Sequence, residues 1–304
     1  MKILVTGGAG FLGSHLADKL ISLNHRVVVV DNLSTGKKKF VNKKAKFYRA
    51  DITKTKLKEI FSRERPEIVF HLAAQKSVPH SLKHPLDDAS NNIWGSLKVI
   101  EASLKVKVKK LVFASTGGAI YGEAKEIPSS EKTLEKPDSP YGLSKLTVDN
   151  YLTNFYSQVK KLKSVSLRFS NIYGPRQDPD GEAGVVAIFV NGLLKGKQCY
   201  INGSGSQTRD FLYVEDAVNS LVKSLRNGHG IYNIGTGRET SINVLYHLIA
   251  GLISEKKAKH RESIPGEVRR SALKINKAGK ELGWQPKNNL LKGLKKTIDY
   301  FKEN

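Results

Sequence analysis

Short apolar runs alternate with longer amphipathic stretches along the first half of the chain. The run Val27-Val28-Val29-Val30 has no polar position, which is typical of a strand buried on both faces of a sheet. Six strands are predicted, at Lys2–Thr6, Arg26–Asp31, Lys46–Arg49, Ile68–Leu72, Lys110–Ser115 and Ser164–Phe169. Helices are predicted between them, at Phe11–Leu23, Leu57–Arg65, Asp88–Leu104 and Pro140–Lys160. This order predicts a doubly wound α/β fold, with a parallel sheet between two layers of helices.

The pattern changes after Asn171. Residues 174–207 are rich in glycine, proline and polar turn formers around one apolar run, Val185–Leu194. A helix at Val214–Leu225 and a strand at Gly230–Ile234 fit as late additions to the first sheet, and short helices are predicted from about residue 241 onward. We therefore expect two interleaved domains, residues 1–170 plus about 210–238 and a smaller α/β domain of residues 171–209 plus 239–304.

Composition restricts the class of protein. With 39% hydrophobic and 26% charged residues in 304, the chain is expected to be globular. No run approaches the roughly 20 apolar residues of a membrane span, and Met1-Lys2 leads directly into a predicted strand, so we expect neither a membrane helix nor a signal peptide. The single cysteine, Cys199, allows no internal disulfide and no thiolate metal site. A cytoplasmic protein without a metal is expected.

The charge favours anionic partners. There are 51 lysines and arginines against 28 acidic residues, so the formal net charge is +23. Clusters such as Lys37-Lys38-Lys39 lie at predicted turns and helix ends and do not form one stripe. No known nucleic-acid-binding motif accompanies them, so a solvated lysine-rich surface is favoured and nucleic-acid binding is disfavoured.

A glycine-rich segment between the first strand and the first helix indicates a dinucleotide site. In Thr6-Gly7-Gly8-Ala9-Gly10-Phe11-Leu12-Gly13, the three spaced glycines permit a tight turn and a close approach of backbone to a pyrophosphate. Asp31, at the end of the second strand, would accept hydrogen bonds from the ribose and repel a 2′-phosphate. The chain therefore predicts a Rossmann-type domain that binds NAD, although Arg26 and Lys37-Lys38-Lys39 leave NADP as an alternative.

Tyr141 and Lys145 share one face of a predicted helix, because they are four residues apart. Ser139 is a suitable N-cap and Pro140 suits the first helical position. The helix dipole and the Lys145 cation are expected to lower the pKa of the Tyr141 phenol from about 10, toward the range of a general base. A tyrosine four residues before a lysine is common, so this pair indicates a catalytic site only together with the motifs around it.

The surrounding motifs resemble one family. The chain is similar to the extended short-chain dehydrogenase/reductases, and in particular to the NAD-dependent nucleotide-sugar epimerases typified by UDP-galactose 4-epimerase. Besides the glycine segment and the Tyr141–Lys145 pair, the matching motifs are Asp31-Asn32-Leu33-Ser34-Thr35-Gly36, Asp51-Ile52, His71-Leu72-Ala73-Ala74-Gln75-Lys76-Ser77-Val78, Asn92 with Gly95, Ser115-Thr116-Gly117-Gly118-Ala119-Ile120-Tyr121-Gly122, Arg168-Phe169-Ser170-Asn171-Ile172-Tyr173-Gly174-Pro175-Arg176-Gln177, Gln207-Thr208-Arg209-Asp210-Phe211 and Gly266-Glu267-Val268-Arg269-Arg270. The resemblance covers nearly the whole chain.

The resemblance implies a set of functional residues. Tyr141 would be the base, and Lys145 would bind the nicotinamide ribose. The family's hydroxyl position falls on Gly117, so this role would pass to Thr116, with Ser115 as the second choice. The residues implied to bind NAD are Gly7, Gly10, Phe11, Leu12, Gly13, Asp31, Asn32, Ser34, Thr35, Gly36, Asp51, Ile52, Leu72, Ala73, Ala74, Lys76, Asn92, Tyr141, Lys145 and Phe169.

The resemblance also implies a substrate site. Its residues would be Lys76, Ser77, Thr116, Tyr141, Asn171, Arg209, Arg269 and Ser271. Arg209 and Arg269 would bind the diphosphate, because a guanidinium matches phosphate oxygens. Ile264 stands where some relatives have an arginine, so binding of the diphosphate in this segment would depend on Arg269. Ser271, at the position that lines the sugar C2 substituent, would leave room for an N-acetyl group.

The implied reaction is 4-epimerisation of a UDP-hexose through a transient 4-keto sugar, with the N-acetylated UDP-hexosamines as further candidate substrates. Gly117-Gly118 disfavours a 4,6-dehydratase, which needs an Asp-Glu pair there, and Asp31 disfavours an NADP-dependent GDP-sugar reductase. A UDP-glucuronate 4-epimerase or decarboxylase, with Arg176 or Lys76 on the carboxylate, stays open. So does a non-catalytic member that binds NAD or nucleic acid.

The family's homodimer is also implied. Helices Asp88–Leu104 and Tyr141–Val159 carry more apolar residues than one buried stripe needs. Examples are Trp94, Leu97, Tyr151, Leu152 and Phe155.

Overall fold

The computed structural model describes residues 1–180, 184–263 and 268–304. Its strands are β1 (Lys2–Thr6), β2 (Arg26–Asp31), β3 (Lys46–Arg49), β4 (Ile68–His71), β5 (Lys110–Thr116), β6 (Ser164–Phe169), β7 (Asn171–Tyr173), β8 (Tyr200–Asn202), β9 (Thr208–Arg209), β10 (Phe211–Tyr213), β11 (Gly230–Ile234), β12 (Thr240–Ser241) and β13 (Lys259–Arg261). Its α-helices are α1 (Phe11–Ser22), α2 (Lys56–Glu64), α3 (Val78–Lys83), α4 (Pro85–Ala89), α5 (Gly95–Lys105), α6 (Pro140–Asn150), α7 (Val185–Leu194), α8 (Val214–Ser224), α9 (Ile242–Ile253) and α10 (Leu290–Glu303).

Seven of these strands form one parallel sheet in the order β11-β6-β5-β4-β1-β2-β3. The order reverses between β1 and β4, which is the topological switch point where α/β proteins bind ligands. The predicted doubly wound α/β fold is therefore confirmed, and the first six strands agree with prediction to within one residue. Strand β11 pairs with β6, with Gly230 opposite Val165, so the chain returns to the first sheet as expected. The domain boundaries themselves stay a prediction.

The sheet is buried on both faces because successive side chains point to opposite sides. In β1, Ile3 and Val5 belong to a core with α1 and α8, whereas Leu4 belongs to a core with α2 and α5. The first of these two cores continues into the C-terminal region, where Leu245 of α9 and Leu294 of α10 are fully buried in it. The two parts of the chain therefore share one hydrophobic core.

Two predicted helices are interrupted by π-helical turns. The predicted helix Asp88–Leu104 consists of α4, a π-helical turn at Ser90–Trp94 and α5. The predicted helix Pro140–Lys160 consists of α6 followed by a π-helical turn at Tyr151–Tyr156, so it ends four residues earlier than predicted. Such turns are frequent at functional sites. After residue 241 the expectation of short helices is wrong, since α9 has 12 residues and α10 has 14.

The region after β6 is built from short strand pairs. Strand β7 pairs with β10 and β8 pairs with β13 in parallel, whereas β9 pairs with β12 in antiparallel fashion. Each pair joins segments that are far apart in the sequence. Within the part of the chain that the structure describes, none of the helices has both the length and the apolarity needed to cross a membrane. The cytoplasmic location stays a prediction.

The edge of the main sheet is fixed by a cluster of charged side chains around Glu64. Its carboxylate contacts Lys46 of β3 at 2.6 Å and Lys2 of β1 at 3.3 Å, and it accepts a 2.5 Å hydrogen bond from the hydroxyl of Tyr48. Burial alone would raise the pKa of Glu64, but the hydrogen bonds from Lys46, Tyr48 and Lys2 lower it to about 2. The cluster thus ties α2 to the edge strand.

This cluster predicts acid sensitivity. Because the folded-state pKa of Glu64 is lowered, its contribution is complete above its unfolded pKa near 4.5 and is lost as the pH falls toward 2. After allowance for solvent screening, the contribution is about 1 to 2 kcal/mol. Urea denaturation of Glu64→Gln between pH 7 and pH 2 should show a smaller fall in the free energy of unfolding than wild type. Glu59→Gln, an exposed change on the same helix, should follow wild type; equal profiles for all three proteins would refute the idea.

Candidate active site

The glycine-rich turn lies between β1 and α1, beside the switch point of the sheet. Gly7 has φ +70°, and a Cβ there would lie 2.7 Å from the backbone nitrogen of Ala73. A Cβ at Gly13 would overlap the carbonyl oxygen of Gly7. Gly10 is the N-cap of α1 and supplies no side-chain hydrogen bond to it. Since the first N–H groups of a helix have no intrahelical acceptor, this end of α1 can bind an anion.

Two carboxylates lie at the ends of β2 and β3. Asp31 is 8% exposed, and its oxygens accept hydrogen bonds from the backbone nitrogens of Ala9 (3.0 Å) and Leu33 (2.8 Å). Asp51 accepts a 3.0 Å hydrogen bond from the Asn32 amide, which joins the two strand ends. Ile52 is buried beside them. The residues predicted to bind the adenosine half of NAD are thus brought together.

The loop after β4 is held by Thr6 and Asn92. The Ala73 backbone nitrogen donates to the Thr6 hydroxyl at 3.3 Å. The Asn92 amide bonds both backbone groups of Gln75, accepting from its nitrogen at 2.9 Å and donating to its carbonyl at 2.8 Å. Lys76 follows on the surface, within electrostatic range of Lys37 and Asp178. This loop therefore has a fixed shape next to the glycine turn.

Tyr141, Lys145 and Thr116 come together at the carboxyl end of β5. Ser139 caps α6 by accepting from the backbone nitrogen of Gly142 at 3.2 Å, as predicted. The Thr116 hydroxyl lies close enough to the Tyr141 hydroxyl to lower the pKa of the phenol. The Lys145 ammonium donates to the carbonyl of Ala114 at 2.9 Å and lies 6.0 Å from the centre of the Tyr141 ring. A phenol, an ammonium and a hydroxyl are therefore grouped in one place.

The prediction that the pKa of Tyr141 is lowered is wrong for this chain. Burial and, to a smaller extent, the negative charge of Asp88 raise this pKa to about 12, and the nearby Thr116 hydroxyl offsets only part of the rise. Burial also lowers the pKa of Lys145 to about 8, although Asp149 and Asp88 both favour its charged form. The desolvation of the two side chains outweighs the helix dipole and the lysine charge on which the prediction relied.

Ser115 and Thr116 point to opposite sides of β5. The Ser115 hydroxyl donates to Asp149 at 3.0 Å. Asp149 in turn forms a 2.8 Å ion pair with Arg168, and both side chains are fully buried. Ser115 therefore belongs to a buried polar network behind the site, so the geometry disfavours it as the catalytic hydroxyl and favours Thr116.

The two glycines after Thr116 have different surroundings. A Cβ on Gly117 would lie 2.5 Å from Cδ1 of the buried Leu273, so the position that carries the family's hydroxyl is filled by a side chain from the C-terminal region. A Cβ on Gly118 would lie 3.5 Å from the Asn171 amide oxygen and 3.9 Å from the Thr116 hydroxyl, both ordinary contacts. Because Gly118 has no side chain, the space between the Asn171 amide and the Thr116 hydroxyl stays unfilled and forms the floor of the site.

The residues predicted to bind the diphosphate come from segments after β6, and Asp210, next to Arg209, accepts a hydrogen bond from the backbone nitrogen of Asn171. Arg209 donates to the carbonyl of Thr208 at 2.8 Å, and the backbone nitrogen of Thr208 donates to the carbonyl of Arg269 at 2.9 Å, so the two arginines are on adjacent segments. Arg269 is exposed and Ser271 is partly buried. Ile264 and the Gly266-Glu267 part of the motif lie outside the described residues. Phe169 ends β6 opposite Thr116.

Comparisons with known proteins decide the family. The sequence model of the NAD dependent epimerase/dehydratase family matches residues 3–235. The chain belongs to this family. It is 44% identical, over 99% of both chains, to a putative UDP-glucose 4-epimerase of Methanocaldococcus jannaschii.

Two solved structures are similar to this epimerase/dehydratase-family chain over nearly its whole length. One is UDP-glucose 4-epimerase from Thermotoga maritima with UDP-glucose, at 48% identity and a TM-score of 0.98, covering 100% of this chain and 99% of that one. The other is UDP-glucose 4-epimerase from Thermus thermophilus with NAD, at 41% identity and a TM-score of 0.93, covering 99% of both.

The residues of this family member fit the dinucleotide that the family uses. The N-terminus of α1 lacks a side-chain cap, and a Cβ on Gly10 would lie 3.2 Å from the Gly7 carbonyl oxygen, a tight contact that glycine avoids. The Asp31 carboxylate accepts hydrogen bonds from two backbone N–H groups. It follows the glycine-rich segment by about 20 residues, the spacing at which dinucleotide-binding domains carry the acid that binds the ribose. Among the described residues, no three His, Cys, Asp or Glu side chains are grouped closely enough to hold a metal ion.

One buried residue near this epimerase/dehydratase site was missed in the sequence. Asp88, in α4, is fully buried and accepts hydrogen bonds from Ser144 (2.7 Å), Asn92 (2.9 Å) and Gln75 (3.0 Å). The only signal in the sequence is its position four residues before Asn92, which places both on one helical face. An acid at a helix start is otherwise ordinary, so its burial could not be foreseen.

Proposed function

We propose that the protein catalyses the NAD-dependent 4-epimerisation of a UDP-hexose and interconverts UDP-glucose and UDP-galactose. The grouping of Tyr141, Thr116 and Lys145 at the same carboxyl edge of the sheet as the glycine turn carries this proposal, since a nicotinamide bound at that edge could meet this acid/base group. Similarity to UDP-glucose 4-epimerases over the full chain supports it.

The chemistry of the site follows from its hydroxyl groups. Bound NAD supplies reversible acceptance of the hydride from C4 of the sugar. The ionised phenol of Tyr141 accepts the proton of the 4-hydroxyl as the C4–O bond becomes a carbonyl, and Thr116, which faces the same phenol, orients that oxygen. After the 4-keto sugar presents its other face, Tyr141 returns the proton and the configuration at C4 is inverted. One phenol thus serves as base and as acid in each cycle.

The diphosphate of the substrate needs cations and amide donors. Arg209 and Arg269 lie on adjacent segments, and Asn171 lies beside Gly118 on the floor of the site. We assign these three residues to the diphosphate, because guanidinium groups bind phosphate oxygens in bidentate geometry. Ser77, at the N-cap of α3, and Lys76, directly before it, are further candidates to contact the substrate from the loop after β4.

The alternative of a UDP-glucuronate enzyme receives little support. Arg176, one candidate for binding the sugar carboxylate, forms a 2.7 Å ion pair with Asp18 of α1 and lies 5.7 Å from the Phe40 ring. Its charge is already compensated at that place. Lys76 remains as the other candidate, so UDP-glucuronate belongs in the substrate panel.

The experiment that tests the proposal follows the anomeric protons of UDP-galactose by NMR with purified protein and no added NAD, and then with NAD. The 4-epimer should form. Thr116→Ala should lower kcat by roughly 10²- to 10⁴-fold, because it removes a group that positions the proton transfer. Ser115→Ala is the matched control: it should keep kcat within a few-fold and lower the thermal midpoint instead. No turnover of any UDP-sugar by wild type, or equal kcat losses in both variants, would contradict the proposal.

The size of the sugar C2 pocket yields a second prediction. Ser271 is partly buried beside the segment that covers Gly117, and its small side chain leaves space for an N-acetyl group. We expect wild type to turn over UDP-N-acetylgalactosamine as well as UDP-galactose. Ser271→Tyr should abolish the first activity and spare the second in a competition assay read by NMR. Equal loss of both activities would rule out a role for Ser271 in selectivity.

We also propose that the protein is a homodimer formed by the helices that carry the site. Trp94, Leu143, Tyr151 and Phe155 are between 39% and 56% exposed, so four large apolar side chains of α6 and the two π-helical turns remain accessible to a partner. Leu152 is fully buried within its own chain and so takes no part. A second copy is the occupant that these two helices fit, since antiparallel pairing would build a four-helix bundle.

Sedimentation equilibrium tests this assembly. Wild type should sediment as a dimer, and Trp94→Glu should shift it to monomer because a charge would be buried in the interface. Leu134→Glu, at a loop residue that is 80% exposed elsewhere on the molecule, is the control and should stay dimeric. A monomeric wild type at micromolar concentration would contradict the dimer.

A further inference from the structure

The site contains a buried negative charge that the proposed reaction does not itself use. Asp88 is 0% exposed, and its three hydrogen-bond donors, Gln75, Asn92 and Ser144, are all neutral. The other buried carboxylate near Lys145 is Asp149, which is paired with Arg168 at 2.8 Å. Within residues 1–180, 184–263 and 268–304, the structure shows no ion pair at Asp88. Its charge therefore acts on its surroundings without a cation in direct contact.

The three donors come from three different parts of the site. Gln75 belongs to the loop after β4, Asn92 to the π-helical turn, and Ser144 to α6, directly before Lys145. The bond to Ser144 is the shortest of the three at 2.7 Å. One carboxylate thus joins the segment proposed to hold the cofactor to the helix that carries Tyr141 and Lys145.

We propose that Asp88 is a positioning residue for the acid/base pair: its carboxylate fixes α6 against the cofactor loop and sets a buried negative charge against the Lys145 cation. An epimerase must return to the sugar the proton it has taken, so its base cannot be stabilised only as an anion. Lys145 favours the phenolate of Tyr141, and Asp88 opposes it. This inference rests on the proposed function.

The electrostatics of the neighbouring groups agree with this assignment. The groups facing Tyr141 are Asp88, which raises its pKa, Thr116, which lowers it, and Lys145 on the same helix. Those facing Lys145 are Asp149 and Asp88, which favour its cation, and His71, a fully buried ring whose own pKa is lowered to about 3 by burial and by that cation. Asp88 is the one group among these that acts on both members of the pair.

The test is the ionisation of Tyr141, followed by NMR of protein labelled with ¹³C at the tyrosine ζ carbon and assigned with Tyr141→Phe. Asp88→Asn should lower the titration midpoint of Tyr141 by about one pH unit, the effect of removing one nearby like charge. The ascending limb of the kcat–pH profile should move in the same direction. Asp87→Asn is the matched control, because it removes the same charge at a side chain that is 54% exposed on the same helix.

The outcomes separate the inference from the proposed function. The NMR titration needs no turnover, so it stays informative if wild type fails to epimerise any UDP-sugar. A midpoint that stays in place in folded Asp88→Asn, or that moves equally in Asp87→Asn, overturns the inference. If Asp88→Asn does not fold, Ser144→Ala replaces it: this change removes a donor to Asp88 but keeps the charge, so the midpoint should rise. An unchanged midpoint in Ser144→Ala overturns the inference as well.

Discussion

The burial of the Lys145 ammonium is the constraint on which the rest of the site depends. Only 3% of this residue is exposed, and an isolated buried charge costs several kcal/mol. The fold compensates with the Ala114 carbonyl at 2.9 Å, the face of Phe113 at 4.6 Å, and the negative charges of Asp149 and Asp88. Strand β5, helix α6 and helix α4 must therefore meet in one fixed arrangement.

This arrangement also decides which hydroxyl faces Tyr141. The buried negative charge of Asp149 must itself be stabilised, and Arg168 of β6 and Ser115 of β5 both donate hydrogen bonds to it. Because neighbouring residues of a strand point to opposite faces, Thr116 is left to face Tyr141. Leu273 fills the space over Gly117, so no other side chain can enter there. The hydroxyl that we propose as catalytic thus lies one residue before the position that the family resemblance indicates.

Features that depend on local pattern could be predicted from the sequence, and those that depend on distant packing could not. The strands of the main sheet, the N-cap at Ser139 and the Tyr141–Lys145 face follow from short-range spacing. The raised pKa of Tyr141 follows from burial under other elements, and the role of Leu273 depends on a contact more than 150 residues away in sequence. The short strand pairs after β6 were missed for the same reason. The spacing of Asp88 and Asn92 places them on one helical face but does not show that Asp88 is buried.

The central claim is that one phenol moves a proton reversibly while the hydride leaves and returns to the same carbon. The most direct measurement uses UDP-galactose that carries deuterium at C4, incubated with the protein in ordinary water. The account predicts UDP-glucose with deuterium retained at C4, because the hydride never exchanges with solvent and only the hydroxyl proton passes through Tyr141. Product with protium at C4 would contradict it, since the hydrogen would then come from water and C4 would be inverted by another route.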